Sequence, residues 1–278
     1  MHSLLILISG FFMLGSYVIM GDSTESEGMR WGVVAGGGLL IFGVYLWFAG
    51  ESFLKERQQT REYYEAIFMA VGIALFVRTF IVEPFKIPSG SMIPTLLVGD
   101  YLFVNKMSYG HRIPFLKSRV FMGDGPQRGD IVVFEYPQNP AKDYIKRIVG
   151  LPGDHIVYND KKLYINGQLI STDNAEQYTY MAERGRSVNA VKYTETLDGQ
   201  QHNILLEPER YTGFLQVDQV VPPRHYFAVG DNRDNSNDSR FWGFVPEHRL
   251  LGRAFVLWGS WDHYEGSVRW DRIGNAIE

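Results

Sequence analysis

Hydrophobicity is distributed unevenly along this chain of 278 residues, and this asymmetry constrains the fold more than any other feature of the sequence. Long apolar runs cover the first part of the chain, at about 3–20, 31–50 and 64–82. Each run approaches the roughly 20 residues that a helix needs to cross the hydrocarbon core of a bilayer. The pattern therefore predicts a membrane anchor in residues 1–82 that contains three transmembrane helices.

Two of these runs are also open to other interpretations. The first run could be a cleaved signal peptide, although it lacks a basic segment before its apolar core and is followed by further apolar runs. The third run could be a buried helix of a soluble domain. Arg78 lies near the end of this run, where a long side chain can also reach the membrane interface.

The charges of the connectors predict the orientation of the anchor. The connector at 51–61 carries Lys55, Arg57 and Arg61, whereas the connector at 21–30 carries mainly acidic residues. Basic loops are retained preferentially in the cytoplasm. The chain after about Glu83 is therefore expected on the outer side of the cytoplasmic (inner) membrane, as the extracytoplasmic part of a multi-pass protein.

The composition of the chain changes after about residue 83. Short runs of Val, Ile, Phe and Tyr alternate with Gly, Pro, Asn and Asp, which is typical of antiparallel strands joined by turns. The dipeptide Asn166-Gly167 lies between two such runs and predicts a hairpin. The expected fold is mainly β, with an antiparallel β-domain formed by 83–153 and 223–278. The more polar stretch 154–222 is predicted to be an inserted second β-subdomain.

Charge and composition exclude several classes of function. The net charge of −4 is spread without a long run of one sign, so the clustered basic patch of a nucleic-acid-binding protein is absent from the sequence. The chain has no cysteine, which excludes disulfides, a cysteine nucleophile and thiolate metal sites. The sequence therefore predicts that no nucleic acid is bound.

A metal site is also not expected. Asp234, Ser236 and Asp238 have the spacing of a calcium-binding loop, but Ser239 replaces the required glycine and Val245 replaces the required glutamate. No pair of histidines has the spacing of a zinc site. We therefore expect neither a metal nor a cofactor.

Three segments carry residues suited to catalysis. In the first, Pro88 and Pro94 bracket Ser89 and Ser91 in a stiff turn directly after the third apolar run. In the second, Lys146 lies within an apolar run that is expected to form a strand. Burial lowers the pKa of a lysine, so that it can act as a base near neutral pH. The third is a polar run at 230–240.

Each segment also has a plain structural interpretation. The first could be an ordinary Ser/Gly/Pro loop, and the third a solvated loop or a hydrogen-bonded polar network. Lys146 could lie on an edge strand and face water, which is a common protection against aggregation. A Ser/His/Asp triad is poorly supported, because only His225 and His248 lie near the polar run.

Four stretches together resemble the bacterial type I signal peptidases, or leader peptidases, which are serine proteases with a Ser/Lys dyad. The matching stretches, in the same order as in that family, are 88–95, 128–134, 144–154 and 230–240. The chain departs from the best-known members in having three apolar segments instead of two. It also lacks the cysteine pair of some relatives.

The resemblance implies a role for each of several residues. It makes Ser91 the nucleophile and Lys146 the general base, with Ser236 orienting the lysine and Ser89 contributing to the oxyanion hole. It also implies that a structural ion pair lies near the site, formed by Asp238 and Arg240. Ser/Lys pairs are a known variant of the catalytic triad, because a neutral lysine can replace histidine as the base.

The resemblance further implies that the substrates are preproteins carrying signal peptides, which are cut after a small-x-small site beside the lipid bilayer. If serine and lysine meet, an extended substrate would lie between their segments by β-strand addition. The expected substrate-binding residues are Phe85, Ile87, Tyr144 and Ile145. Two alternatives are a non-catalytic membrane-tethered β-domain that binds peptides or partner proteins, and a soluble self-cleaving repressor.

Overall fold

The computed structural model describes residues 58–110, 125–182, 185–210 and 215–278. The apolar runs predicted to span a membrane at 3–20 and 31–50 lie outside these residues. The chain divides into two compact units, of which the first contains the helix before residue 82 and the second contains the strands.

The first unit contributes one described helix, α1 (Gln58–Phe80). It covers most of the apolar run at 64–82, begins before that run, and ends with the Ile81 N–H donating to Val77 O. Within the ranges given above, no helix is both long enough and apolar enough to cross a membrane. The prediction of a transmembrane span at 64–82 is therefore not supported by the described residues.

The second unit is mainly β, as the sequence predicts. Its strands follow the chain in the order β1 (Val82–Lys86), β2 (Asp100–Asn105), β3 (Ile131–Glu135), β4 (Asp143–Gly150), β5 (His155–Asn159), β6 (Lys162–Ile165), β7 (Gln168–Leu169), β8 (Thr172–Met181), β9 (Ser187–Leu197), β10 (Gln200–Leu206), β11 (Val217–Val220), β12 (His225–Val229), β13 (Val245–Pro246), β14 (Leu250–Asp262) and β15 (Ser267–Val268). The short helix α2 spans Ser239–Trp242, and 3₁₀ turns span Gly90–Met92, Arg233–Asn235, Glu247–Arg249 and Trp270–Arg272.

The largest sheet is built from both ends of the β-rich region. Its strand order is β1-β2-β14-β3-β4-β12-β13, and β15 pairs with β14. Every one of these pairings is antiparallel. Strands that precede residue 151 and strands that follow residue 224 therefore lie side by side in one sheet. Because β12 pairs with β4, the polar loop after β12 lies beside β4.

Two smaller sheets occupy the stretch between β4 and β12. One has the order β11-β5-β6-β7 and the other the order β10-β9-β8. The hairpin predicted at Asn166-Gly167 is confirmed, because both residues have positive φ and Ile165 pairs with Gln168. A type I′ turn requires positive φ at both central residues, which asparagine and glycine tolerate best.

The four-stranded sheet shares its core with the large sheet. Val149 and Phe227 of the large sheet belong to the same buried cluster as Ile156, Leu163 and Val217 of the smaller one. A sheet of this size must bury one apolar face against another element. The segment 154–222 therefore contributes sheets of its own while it packs within the same compact unit as the large sheet.

Candidate active site

Ser91 lies in the 3₁₀ turn that follows β1 and is only 8% exposed. The next residue, Met92, is completely buried among the core side chains of the large sheet and anchors the turn. The polar loop after β12 holds the turn from the other side. The backbone N–H of Asn232 donates to Ser91 O over 3.1 Å, and its side chain donates to Gly90 O over 3.0 Å.

Lys146 lies on β4, opposite Val132 of β3, and is only 4% exposed. The alternative of a lysine that faces water is therefore wrong, because the Lys146 side chain is buried. The Lys146 Nζ lies 2.6 Å from Ser91 Oγ and 2.9 Å from Ile145 O. The structure thus brings together two residues that are 55 positions apart in the sequence.

The surroundings of Lys146 favour its neutral form. Burial lowers the pKa of its amine to about 8, against the opposing charges of Asp238 and Asp231 and with a smaller contribution from Arg240. The ring of Tyr144, whose centroid lies 5.5 Å from Nζ, is the aromatic neighbour of the amine. Near neutral pH an appreciable fraction of this lysine is therefore unprotonated and can accept a proton.

A buried ion pair joins the strand of the lysine to the polar loop. Arg147 Nε and Nη2 each lie 2.8 Å from an oxygen of Asp231, and Thr95 Oγ1 donates to the same carboxylate. Burial alone would raise the pKa of Asp231, but the charge and hydrogen bonds of Arg147 hold this pKa below its usual range. Asp231 therefore contacts Arg147, the residue after Lys146, and Thr95, which lies in the segment that follows Ser91.

Local sequence patterns do not predict a role for Asp231, Arg147, Thr95 or Asn232. All four lie inside the stretches that carry the family resemblance. Two signals in the sequence could have identified the ion pair. An arginine directly follows the candidate base, and an aspartate lies two residues after a buried strand.

Asp238 and Arg240 form a second buried ion pair below the site. Arg240 Nε and Nη2 donate to the two oxygens of Asp238 over 2.8 Å, and Arg240 Nη2 also donates to Arg233 O. The Asp238 carboxylate accepts the Gly230 N–H over 3.0 Å and the Arg240 N–H at the start of α2. This pair therefore fixes the conformation of the loop at 230–240.

The two support serines occupy different environments. Ser89 is half-buried and lines the cleft beside Ser91. Ser236 is buried and also lines the cleft, but its Oγ is not among the hydrogen-bond partners of the Lys146 amine. The predicted contact between Ser236 and Lys146 is therefore absent, because the amine is directed at Ser91 Oγ and Ile145 O instead.

A cleft of about 780 Å³ opens onto Ser91 and Lys146. Tyr144 and Ile145 line it, as the sequence predicts, but Phe85 and Ile87 do not. Ile87 is only 2% exposed and belongs to the core cluster of Met92, and Phe85 packs against that cluster. Neither residue lines this cleft, so the structure does not support their assignment as pocket walls. The wall on that side is formed by Pro88, Ser89 and Gly90 instead.

The described ranges contain no group of three or more histidine, aspartate or glutamate side chains that could hold a metal ion. The charged side chains around Lys146 are instead arranged as Arg–carboxylate pairs. Ser91 Oγ and Lys146 Nζ, which lie 2.6 Å apart, can supply nucleophilic attack by a hydroxyl beside an amine.

Comparison with known proteins gives one consistent result. The family model for "Signal peptidase, peptidase S26" matches residues 60–261. A signal peptidase I from Pseudomonas fluorescens is 46% identical over 211 residues, which cover 72% of this chain and 72% of the relative. A signal peptidase I from Pseudomonas aeruginosa is 44% identical over 211 residues, with the same coverage of 72% of each chain.

A crystal structure of a signal peptidase I from Enterococcus faecalis is 32% identical in sequence and covers 47% of this chain and 97% of that chain, with a TM-score of 0.28. These matches show that the protein is a serine peptidase, an enzyme that hydrolyses peptide bonds. More particularly, the chain belongs to the bacterial type I signal peptidases of peptidase family S26.

Proposed function

We propose that Ser91 and Lys146 form the catalytic dyad of a signal peptidase and cut signal peptides from exported preproteins after a small-x-small site. The observation that carries this proposal is the distance of 2.6 Å between Lys146 Nζ and Ser91 Oγ, in surroundings that lower the pKa of the lysine to about 8. A serine hydroxyl is a weak nucleophile and needs a base at hydrogen-bond distance, which the neutral amine supplies.

Catalysis begins when the neutral Lys146 amine accepts the proton of Ser91 Oγ, which attacks the carbonyl carbon of the scissile peptide. The resulting tetrahedral oxyanion is stabilised by hydrogen-bond donors beside Ser91, among which we place the Ser89 hydroxyl. The ammonium then protonates the leaving nitrogen, the C–N bond breaks, and an ester on Ser91 remains. A water molecule, deprotonated by Lys146, hydrolyses this ester and restores both residues.

The neighbouring residues support the dyad. Asp238 and Arg240 keep the loop at 230–240 in place, and Asp231 with Arg147 keeps this loop beside β4. We place Ser236, which is buried and lines the cleft, close to the reacting groups in the complex with substrate, where its hydroxyl oxygen can accept from the lysine ammonium. Hydrogen bonds of catalytic groups are often long in the free enzyme and shorten when substrate binds.

The shape of the cleft supports a preference for small residues. An extended substrate beside β4 would point the side chains at −1 and −3 from the cut in the same direction, because side chains alternate along a strand. Tyr144 and Ile145 lie directly before Lys146 and line the cleft, so they would form walls that exclude larger groups. The side chain at −2 would point to solvent.

We further propose that residues 1–82 anchor the enzyme in the cytoplasmic membrane as a multi-pass protein, with 83–278 on the outer side. The basic connector at 51–61 favours the cytoplasmic side, so this orientation requires the apolar run at 64–82 to carry the chain across the bilayer. An anchor in the bilayer suits substrates held in the same bilayer, because confinement raises the effective concentration of the substrate.

The experiment that tests this function is cleavage of a purified preprotein in detergent by the whole chain and by Ser91→Ala. We expect the unaltered enzyme to release the signal peptide after a small-x-small site, and the variant to remain folded and inactive. The matched control is Ser187→Ala, which removes an exposed serine hydroxyl at the start of β9 and should leave turnover unchanged. Turnover by Ser91→Ala equal to that of the unaltered enzyme would sink the assignment.

A further inference from the structure

The residues at 275–278 attach to β14, in the middle of the large sheet. The Gly274 N–H donates to Leu257 O over 2.7 Å, and the Leu257 N–H donates to Asn275 O over 3.0 Å. The Ile277 N–H donates to Phe255 O over 3.0 Å, and an antiparallel bridge joins Ala276 to Val256. The segment is therefore held along β14 by its backbone.

One side chain of this segment enters the core. Ile277 is 6% exposed, whereas its neighbours Asn275, Ala276 and Glu278 are exposed. The core cluster that Ile277 joins also contains Met92, the residue after Ser91. Burying one large apolar residue of an otherwise exposed segment fixes the position of that segment against the core. The segment therefore shares a core cluster with the turn that presents the serine.

The backbone of the same segment contacts the residue after the lysine. Arg147 Nη2, which already donates to Asp231, also donates to Glu278 O over 3.0 Å. Arg147 Nη1 donates to Gly129 O and Nε donates to Asp231. Because this guanidinium is buried, Glu278 O satisfies a donor that would otherwise lack a partner.

We propose that the segment 275–278 is a positioning element of the active site, which holds the Ser91 turn through Ile277 and the Lys146 strand through the contact between Glu278 O and Arg147. It acts through these neighbours and does not touch the reacting atoms. Loss of the segment would leave a donor of Arg147 unsatisfied and admit water beside β4, which loosens the geometry between the serine and the lysine. This inference rests on the proposed role of the Ser91–Lys146 dyad.

The test compares Ile277→Ala with Ile165→Ala. Ile165 is the same residue type with the same exposure of 6%, but it lies in the core of the four-stranded sheet. We expect both variants to unfold at lower temperature, and only Ile277→Ala to lower kcat for a preprotein by roughly 10-fold with a small change in KM, since displaced catalytic groups lose rate steeply. Water entering beside Lys146 should also move the acid limb of its kcat profile to higher pH.

Two further variants keep the test decisive if Ile277→Ala folds poorly. Ile277→Val retains most of the packing and should restore the rate and the pH limb. Glu278→Ala keeps the backbone oxygen that Arg147 contacts and should behave as the unaltered enzyme. Equal effects of Ile277→Ala and Ile165→Ala on kcat, or an unmoved pH limb in Ile277→Ala, would overturn the positioning role.

Ser91→Ala is assayed in parallel and separates the two proposals. Activity in Ser91→Ala would overturn the proposed dyad itself. Inactivity of Ser91→Ala, combined with an unchanged kcat and pH limb in Ile277→Ala, would overturn the positioning role alone.

Discussion

Asp231 holds the guanidinium of Arg147 through both carboxylate oxygens, each 2.8 Å from a nitrogen, and both side chains are buried. Because Arg147 follows Lys146 directly and Asp231 precedes the residue that binds Ser91 O, this pair joins the two halves of the candidate site. Removing one partner of a buried ion pair is strongly destabilising, since the other charge is left uncompensated.

Asp231→Asn should therefore lower the free energy of unfolding by about 3 to 5 kcal/mol, and it should also lower the rate of preprotein cleavage. The control is Asp262→Asn, which removes the partner of Arg269 in a pair with side chains 18% and 21% exposed. Pairs near the surface contribute about 1 kcal/mol or less. Denaturant unfolding of both variants measures the difference, and equal losses would contradict the role given to Asp231.

The pair of Glu195 and Arg233 predicts how stability depends on acid. Burial alone would raise the pKa of Glu195, but the charge of Arg233 and a hydrogen bond from His202 lower this pKa from 4.5 to about 2. When folding lowers the pKa of a carboxyl group, this group stabilises the folded protein at pH values above the pKa that it has in the unfolded state. The stabilisation is lost as the pH falls to the pKa that the group has in the folded state. The contribution should therefore disappear between about pH 4.5 and 2.

Glu195→Gln should reduce the decrease in the free energy of unfolding that occurs as the pH is lowered from about 4.5 to 2. Glu176→Gln, which alters a carboxylate that is 65% exposed and pairs with Lys192, should leave the slope unchanged. Urea unfolding at a series of pH values measures both slopes. If Glu195→Gln retains the full slope, the acid sensitivity originates elsewhere.

Burial of Lys146 should cost stability at neutral pH. The pKa of this lysine is lowered from 10.5 to about 8 on folding, so the folded state binds its proton more weakly than the unfolded state does. The penalty is complete below about pH 8 and decreases as the pH rises toward 10.5. Lys146→Met should therefore be inactive yet more stable at neutral pH, by on the order of 1 to 3 kcal/mol.

The gain from Lys146→Met should shrink as the pH is raised through this range. Lys142→Met is a suitable control, because Lys142 is exposed and its replacement should change the stability little at any pH. Thermal unfolding at neutral and alkaline pH measures both variants. A methionine variant that is less stable than the unaltered protein at neutral pH would show that the lysine is not held at an energetic cost.

The cleft predicts which substrate positions are restricted. Ile145→Ala should admit residues larger than alanine at −1 or −3, or shift the cut, because it trims a wall of the cleft. The control Ile87→Ala alters a core residue that does not line the cleft, and it should lower stability without changing specificity. Mass spectrometry of products from preproteins varied at −1, −2 and −3 gives the result. Equal restriction at −2 and −1 would exclude an extended substrate.

Local sequence patterns predict much of the β structure. Strands β6 and β12 coincide with short apolar runs of the kind that predicts strands, and the hairpin at Asn166-Gly167 follows from turn chemistry that involves only neighbouring residues. The longest strand, β14, is not marked by such a pattern. Its register shifts repeatedly, for example around Gly252 and Gly259, and these irregularities break the alternation with period two.

The candidate site is predictable only in part for a related reason. Ser91 and Lys146 are identifiable because each has an unusual local setting, a proline-bracketed turn and an apolar strand. The direction of Ile87 toward the core and the pairing of Arg147 with Asp231 depend on contacts between distant segments. Such contacts are set by the topology of the large sheet, which local patterns do not determine.

The pH dependence of kcat/KM for preprotein cleavage tests the central claim, that a buried neutral Lys146 activates Ser91, most directly. The profile is measured across pH ~6 to ~11, with Lys146→Arg as the inactive companion, because a guanidinium stays charged throughout this range. The account predicts an acid limb that rises with a midpoint near the lysine pKa of about 8. A limb centred near 10.5, the value of an unperturbed lysine, or activity in Lys146→Arg, would contradict it.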